Sequence, residues 1–163
     1  MAKNKEEKTN VMRVLEQKKI AYTAHTYPHE EGMAVDGVTV AKSMGFDPAI
    51  VFKTLVARGA SKQYYVFDVP VAENLDLKKA AKAVGEKSIE MIHQKELLPL
   101  TGYVHGGCSP VGMKKLFPTV FHETAENLET IIVSAGKIGY QVELAPHDLA
   151  ALVRAKFADI IVE

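Results

Sequence analysis

The chain has 163 residues and a mass of 17.9 kDa, the size of one domain with a substantial core. Its 47% hydrophobic and 25% charged residues exclude wholesale disorder, and 20 basic against 20 acidic residues exclude a protein that grips bare nucleic acid by bulk charge. The single cysteine, Cys108, excludes an intrachain disulfide framework and a cysteine-rich zinc site and fits a reducing compartment. The polar start from Met1 to Lys8 lacks the apolar run of a signal peptide, and no stretch approaches the roughly 18 apolar residues of a membrane span. A cytoplasmic protein with a charged tail over 1–8 and one domain over 9–163 is expected.

Thr9 and Asn10 are positioned to cap a helix carrying Val11, Met12 and Leu15. The β-rich run Ile20–Tyr27 predicts a strand, broken by Pro28–Gly32. Asp36 or Thr39 opens a short helix through Val40, Ala41 and Met44, with Gly45 in the terminating place. Val51–Ala57 and Tyr64–Val69 predict paired strands around a loop holding Gly59, Ala60 and Ser61. Asp76 caps a helix over Leu77–Val84 that Gly85 ends. A short strand near Ser88–Met91 and a helical turn over Gln94–Leu98 follow, the turn interrupted by Pro99. Gly102–His105 predicts a strand running into the shaped loop Gly106–Gly112. Further strands are expected at Thr119–Phe121, Thr130–Ser134 and Tyr140–Leu144, the last two joined by Ala135–Gly139, and a helix over Pro146–Ala155. Hairpins interrupted by short helices favour an α+β fold with a mixed or antiparallel sheet.

Among chemistry-bearing residues, Lys53 is the most informative. Alternation places Val51, Lys53, Leu55 and Ala57 on one strand face and Phe52, Thr54 and Val56 on the other. Both faces are apolar, so the strand reads as central. A lysine there either binds an anion in a site or snorkels to solvent from a strand end. The adjacent glycines Gly106 and Gly107 let backbone amides approach a ligand, although a tight connection between strands explains them as well. Ser134 with Ala135-Gly136-Lys137 forms a second hydroxyl-and-glycine corner. No spacing links Cys108 to a histidine base, so a buried hydrophobic role fits it better than nucleophilic catalysis. The six histidines show no metal-ligand spacing, and there is no serine elbow. Lys78, Lys79, Lys82 and Lys87, with Lys114 and Lys115, are solvated faces that could touch a phosphate backbone.

In order and spacing, His25-Thr26-Tyr27, Val51-Phe52-Lys53-Thr54-Leu55, Leu75–Lys82, Thr101-Gly102-Tyr103, Gly106–Gly112, Ser134–Lys137 and Ala155–Ile160 resemble the YbaK family of bacterial aminoacyl-tRNA deacylases. That family is related to the editing domain inserted in some prolyl-tRNA synthetases. The resemblance runs from about Val11 to Ile161 and implies a mixed, partly barrel-like sheet flanked by short helices. It implies release of cysteine from Cys-tRNA(Pro), with attack by the substrate's own thiol. Ala-tRNA(Pro) or another mischarged tRNA as substrate, and a non-catalytic aminoacyl-tRNA or synthetase-binding module, are the alternatives. The implied catalytic residues are Lys53, Gly106 and Ser134. Tyr27, Gly107, Ser109, Gly136 and Gln141 are the implied substrate-binding residues, and Gln141 stands where the family often has aspartate. The implied partners are the acceptor end of tRNA(Pro) and prolyl-tRNA synthetase, with no DNA, membrane, metal or cofactor.

Overall fold

The structure, a computed structural model, describes residues 8–28 and 36–163. Most of the expected charged tail and of the break after Pro28 therefore lies outside the described residues; Lys8 itself pairs with Glu16 at 2.9 Å.

Local chemistry accounts for most of the element boundaries. Helix α1 (Asn10–Gln17) starts where Thr9 Oγ1 accepts the Met12 amide, and it buries Val11, Met12 and Leu15. Asp36 caps α2 (Gly37–Ser43) by accepting from the Thr39 amide, and Gly45, at φ +78°, closes it. Asp76 accepts from the Lys78 and Lys79 amides at the head of α3 (Leu77–Val84), and Gly85 ends it at φ +75°. Strand β1 (Thr23–Thr26) is shorter than the strand expected over Ile20–Tyr27. The hairpin β2 (Phe52–Gly59) and β3 (Tyr64–Pro70) forms as expected, followed by β4 (Ile89–Met91).

Two expectations are corrected. Helix α4 spans Gln94–Thr101 and runs through Pro99 instead of stopping before it. Proline removes one backbone donor; the turn beyond it is held where Thr101 Oγ1 donates to the Leu97 carbonyl at 2.7 Å and Gly102 closes the helix at φ +90°. Gly102–His105 is not a strand. Tyr103 turns inward, buried, with its hydroxyl donating to the Val111 carbonyl, so this stretch braces the irregular segment 102–118 against itself. Beyond it come β5 (Thr119–His122), β6 (Ile131–Ser134), β7 (Tyr140–Leu144), α5 (Pro146–Val153) and β8 (Lys156–Ala158). β8 is not anticipated by the sequence pattern; it completes an edge by pairing in parallel with β5.

The fold is α+β, and among the described residues its strands form two sheets. One has the order β1-β7-β6, the other β4-β2-β3-β5-β8, and they do not close into a barrel. The second is mixed: β2–β3 and β2–β4 are antiparallel, β3–β5 and β5–β8 parallel. Its two faces divide the core. Phe52, Val56, Val66 and Phe121 join α1, α5 and the other sheet, while Ala57, Phe67, Val69 and Val120 pack under α3. The sheets meet at one parallel bridge, Val51 to Ile132, and both residues are buried with Ala41 of α2.

Phe67 and Phe121 are completely buried on opposite faces of the larger sheet. Replacing either by alanine is expected to cost about 3–5 kcal/mol of folding free energy, measured by urea unfolding, and both variants together should lose close to the sum because the faces do not share a packing cluster.

Candidate active site

The Val51–Ile132 bridge determines where the site lies. Two residues beyond it on each strand come Lys53 and Ser134, carried to the same side by the strand period. The pairing goes no further. β4 occupies the outer side of β2 only from Ala57 onward, so the first half of β2 has a gap beside it. A cavity of about 530 Å³ fills this gap, with Lys53, Thr54 and Leu55 on one wall and Ser134, Tyr140 and Gln141 on the other. Tyr27, Gly106 and Cys108 complete the lining together with Asp36 of the α2 cap.

Lys53 is half-buried. Burial holds its ammonium below the ordinary lysine pKa, and the negative charges of Asp36 and Glu73 oppose that shift. Neither carboxylate forms an ion pair with it, so among the described residues the ammonium faces the cavity without a salt bridge. Gln141 is buried at the β7 position paired with both His25 and Ser134. Its side-chain oxygen has no hydrogen-bond partner among the described residues, which leaves a buried acceptor on the cavity wall. Tyr27 is positioned by its amide, which donates to the Gly139 carbonyl at 2.9 Å.

The glycine loop has divided roles. Gly106 lines the cavity at φ +91°, a conformation that favours glycine. Gly107 does not line it: its amide donates to the Val104 carbonyl at 3.0 Å, so it is not free for an oxyanion. A Cβ on Gly107 would stand 3.1 Å from the Ile138 amide nitrogen, so glycine there lets segment 102–118 press against the β6–β7 hairpin. Ser109 also lies off the cavity, completely buried, its hydroxyl accepting the Val111 amide at 3.2 Å. Gly136 is a third correction. Its amide donates to Ser134 Oγ at 3.1 Å, and a Cβ would crowd Tyr103 and Val11. Gly107, Ser109 and Gly136 thus shape the site from behind, whereas Lys53, Gly106, Ser134, Tyr27 and Gln141 converge on it.

Among the polar lining residues, Asp36, Thr54, His105, Cys108 and Tyr140 are not placed in the site by sequence reasoning. Thr54 alternates away from Lys53, and only the open strand edge lets one cavity reach both. Behind it lies Asp68 of β3, whose Oδ1 accepts from Thr54 Oγ1 at 2.6 Å. Asp68 is completely buried and its Oδ2 has no hydrogen-bond partner among the described residues. Burial pushes its carboxyl up to about 7, against the pull of the Thr54 hydrogen bond. Cys108 sits on the same side of the sheet. Burial, reinforced by the Asp68 charge, pushes its thiol up to about 12, so it stays protonated and is not an activated nucleophile.

The outer lysines are less uniform than their spacing suggests. Lys78, Lys82, Lys87, Lys114 and Lys115 are exposed. Lys79 is engaged elsewhere, donating to Asp159 at 3.0 Å and to the Ile161 carbonyl at 2.9 Å. His25 is likewise structural, bonded to Glu143 at 2.9 Å and packed against Phe46. No group of three or more potential metal-ligating side chains occurs among the described residues.

Residues 29–152 match the family model of the aminoacyl-tRNA editing domain. The chain belongs to that family. It is 47% identical over 161 residues, 98% of each chain, to an Enterococcus faecalis (strain ATCC 700802 / V583) protein named as a candidate Cys-tRNA(Pro)/Cys-tRNA(Cys) deacylase, EbsC. Among solved structures, a candidate trans-editing enzyme for prolyl-tRNA synthetase superposes with a TM-score of 0.78 at 25% identity, covering 94% of this chain and 95% of that one. The hypothetical protein APE2540 shares the fold, with a TM-score of 0.82 at 18% identity over 93% and 99% of the two chains. No helix of this editing domain is long and apolar enough to cross a membrane among the described residues.

Two predictions follow from the buried acid and thiol. Cys108→Ala is expected to keep ester-cleaving activity within about threefold of the parent, and Cys108 should resist iodoacetamide at pH 8 in the folded protein, as followed by intact mass. Asp68 binds its proton more tightly folded than unfolded. The resulting stability is fully present below the unfolded carboxyl range, near pH 4, and is lost as pH rises through about 7. The stability of the parent relative to Asp68→Asn should therefore fall between pH 5 and pH 8, read by denaturant unfolding at each pH.

Proposed function

We propose that this editing domain acts in trans as a deacylase that releases cysteine from Cys-tRNA(Pro), in the cytoplasm where translation runs. One observation carries the reading: a cavity between two sheets gathers a desolvated lysine, a hydroxyl, a lining glycine and an amide oxygen that has no partner among the described residues, while the thiol on its wall is held protonated. Among the described residues such a site can orient a substrate but offers no activated thiol to attack it.

The substrate supplies the missing group. Its side-chain sulfur attacks its own ester carbonyl; the new S–C bond forms as the bond to the ribose oxygen breaks, and the thiol proton ends on that oxygen. The products are a cyclic thiolactone and free tRNA. What the protein contributes is geometry, and holding thiol and carbonyl in attack position is worth roughly 7–11 kcal/mol in well-oriented reactions. Lys53 anchors the polar end of the terminal adenosine, and Ser134 and Tyr27 orient the ester. The Gly106 amide faces the developing oxyanion, an interaction of about 3 kcal/mol per donor. Gln141 Oε1 accepts from the substrate amine. A neutral amide in that place binds the amine through a hydrogen bond instead of an ion pair, which leaves the amino acid's shape to carry more of the selectivity.

The even charge balance and the scattered exposed lysines favour weak contact with tRNA. Lys78, Lys82 and Lys87 touch the acceptor stem in this reading, and association with prolyl-tRNA synthetase supplies the remaining affinity. The similarity to a trans-editing enzyme for that synthetase supports this arrangement.

The test is a deacylation panel with Cys-tRNA(Pro), Cys-tRNA(Cys) and Ala-tRNA(Pro). Thiol-bearing substrates should be cleaved and alanine spared, and Lys53→Ala should slow cleavage on the order of 100-fold, the scale of a lost positioning contact. A preference for Ala-tRNA(Pro) would overturn the thiol mechanism, and equal rates for parent and Lys53→Ala would remove Lys53 from it.

A further inference from the structure

An ionisable side chain stands where the core pattern calls for an apolar one. On β3, Tyr64, Val66 and Asp68 share the face toward the main core, and Asp68 is in register with Thr54 on one side and Phe121 on the other. Val66 and Phe121 are buried apolar residues; Asp68 is just as buried. A carboxyl in such a place is costly unless its environment answers it. Its Oδ1 is answered by Thr54 at 2.6 Å and its Oδ2 by no group among the described residues. From segment 102–118 the titratable group facing it is the Cys108 thiol, which stays protonated across the physiological range. From β2 and β5 the neighbours are Thr54 and Phe121, neither of which titrates.

Thr54 is the link between this acid and the substrate, because it lines the cavity one position from Lys53. A hydroxyl has one proton to donate and two lone pairs. When the carboxyl is ionised, Thr54 must give its proton to Asp68, and its oxygen then faces the cavity as an acceptor. When the carboxyl is protonated, the acid can donate to Thr54, whose own hydrogen is released to turn toward the cavity as a donor. A substrate thiol held for attack needs an acceptor for its S–H.

We propose that Asp68 is a positioning residue for ester cleavage, acting through its hydrogen bond to make the Thr54 hydroxyl an acceptor that orients the substrate's thiol. The inference rests on the deacylase reading above. It predicts a site whose competence rises as the Asp68 proton is lost, and the carboxyl's position near pH 7 places that change within the working range of the enzyme.

The experiment compares rates of Cys-tRNA(Pro) cleavage by the parent and Asp68→Asn between pH 5.5 and 8.5. Taking the ratio cancels the titrations of the substrate's own amine and thiol. The ratio of parent to Asp68→Asn should rise several-fold through about pH 7, and the same ratio measured in a Thr54→Val background should be flat. A pH-independent ratio in the parent background would overturn the proposal, as would a step that survives in Thr54→Val. A second readout needs no substrate. The Asp68 carboxyl carbon, followed by 13C NMR in the ligand-free protein, should titrate near neutrality, and Thr54→Val should move that titration upward, since the lost hydrogen bond favours the ionised form. Titration below pH 5, or no movement in Thr54→Val, would also overturn it. Absence of cleavage by the parent at every pH would count against the deacylase reading instead, and the NMR titration would still decide whether Asp68 and Thr54 are coupled.

Discussion

The parallel bridge between Val51 and Ile132 is a small contact on which the site depends. It joins two sheets that otherwise run apart, and it does so with two buried aliphatic side chains packed against Ala41. Because the pairing lasts for one residue pair, the strands diverge directly beyond it, and β4 does not reach far enough along β2 to fill the opening. A sheet edge left open inside a protein needs either cover or use. Here the opening is walled by the glycine loop and the β6–β7 hairpin, and the polar side chains along it face a cavity instead of bulk water.

That geometry explains how a polar site survives within an apolar shell. Lys53, Gln141 and Asp68 each carry a desolvation cost that a tightly paired sheet would not tolerate. The lysine shows it as a depressed basicity, the amide as an acceptor without a donor, and the carboxyl as a proton held up to about 7. These are unsatisfied groups of the kind that a ligand completes. Equally telling is the chemistry withheld: the thiol in reach of the cavity is kept neutral by burial and by the acid beside it. Under the proposed substrate-assisted reaction, a domain that discards errors has reason to lack an indiscriminate nucleophile, since a site that can only orient will spare esters that cannot react with themselves. Size alone separates amino acids of similar volume poorly, so in that reading the reactive group on the substrate adds discrimination that a pocket by itself cannot provide.

Most of the elements were legible in the sequence because their signals are local. Thr9, Asp36 and Asp76 act as helix caps within three residues of their own position, and Gly45 and Gly85 end helices through backbone freedom that no neighbour has to grant. Where the structure departs from that pattern, contacts without a simple sequence signal decided. The turn after Pro99 is held by the Thr101 hydroxyl and Gly102, Tyr103 is drawn inward to the Val111 carbonyl, and β8 exists because the distant β5 offers it an edge.

The same division runs through the site. The amino-acid sequence by itself determined the α+β class, the β2–β3 hairpin with a lysine among apolar residues, the absence of a motif for a metal or a serine nucleophile, and an ordered set of short motifs characteristic of an editing domain. Strand periodicity, capping and spacing are properties of neighbours along the chain, so they can be read there. Only the tertiary structure decided which glycine lines the cavity, since Gly107 spends its donor on Val104 behind the wall while Gly106 lies on it. It alone brought Asp68, 14 residues from Thr54 along the chain, into a 2.6 Å contact behind the cavity wall. Burial and pairing across strands are set by register and by the packing of whole sheets, and those quantities have no local signature.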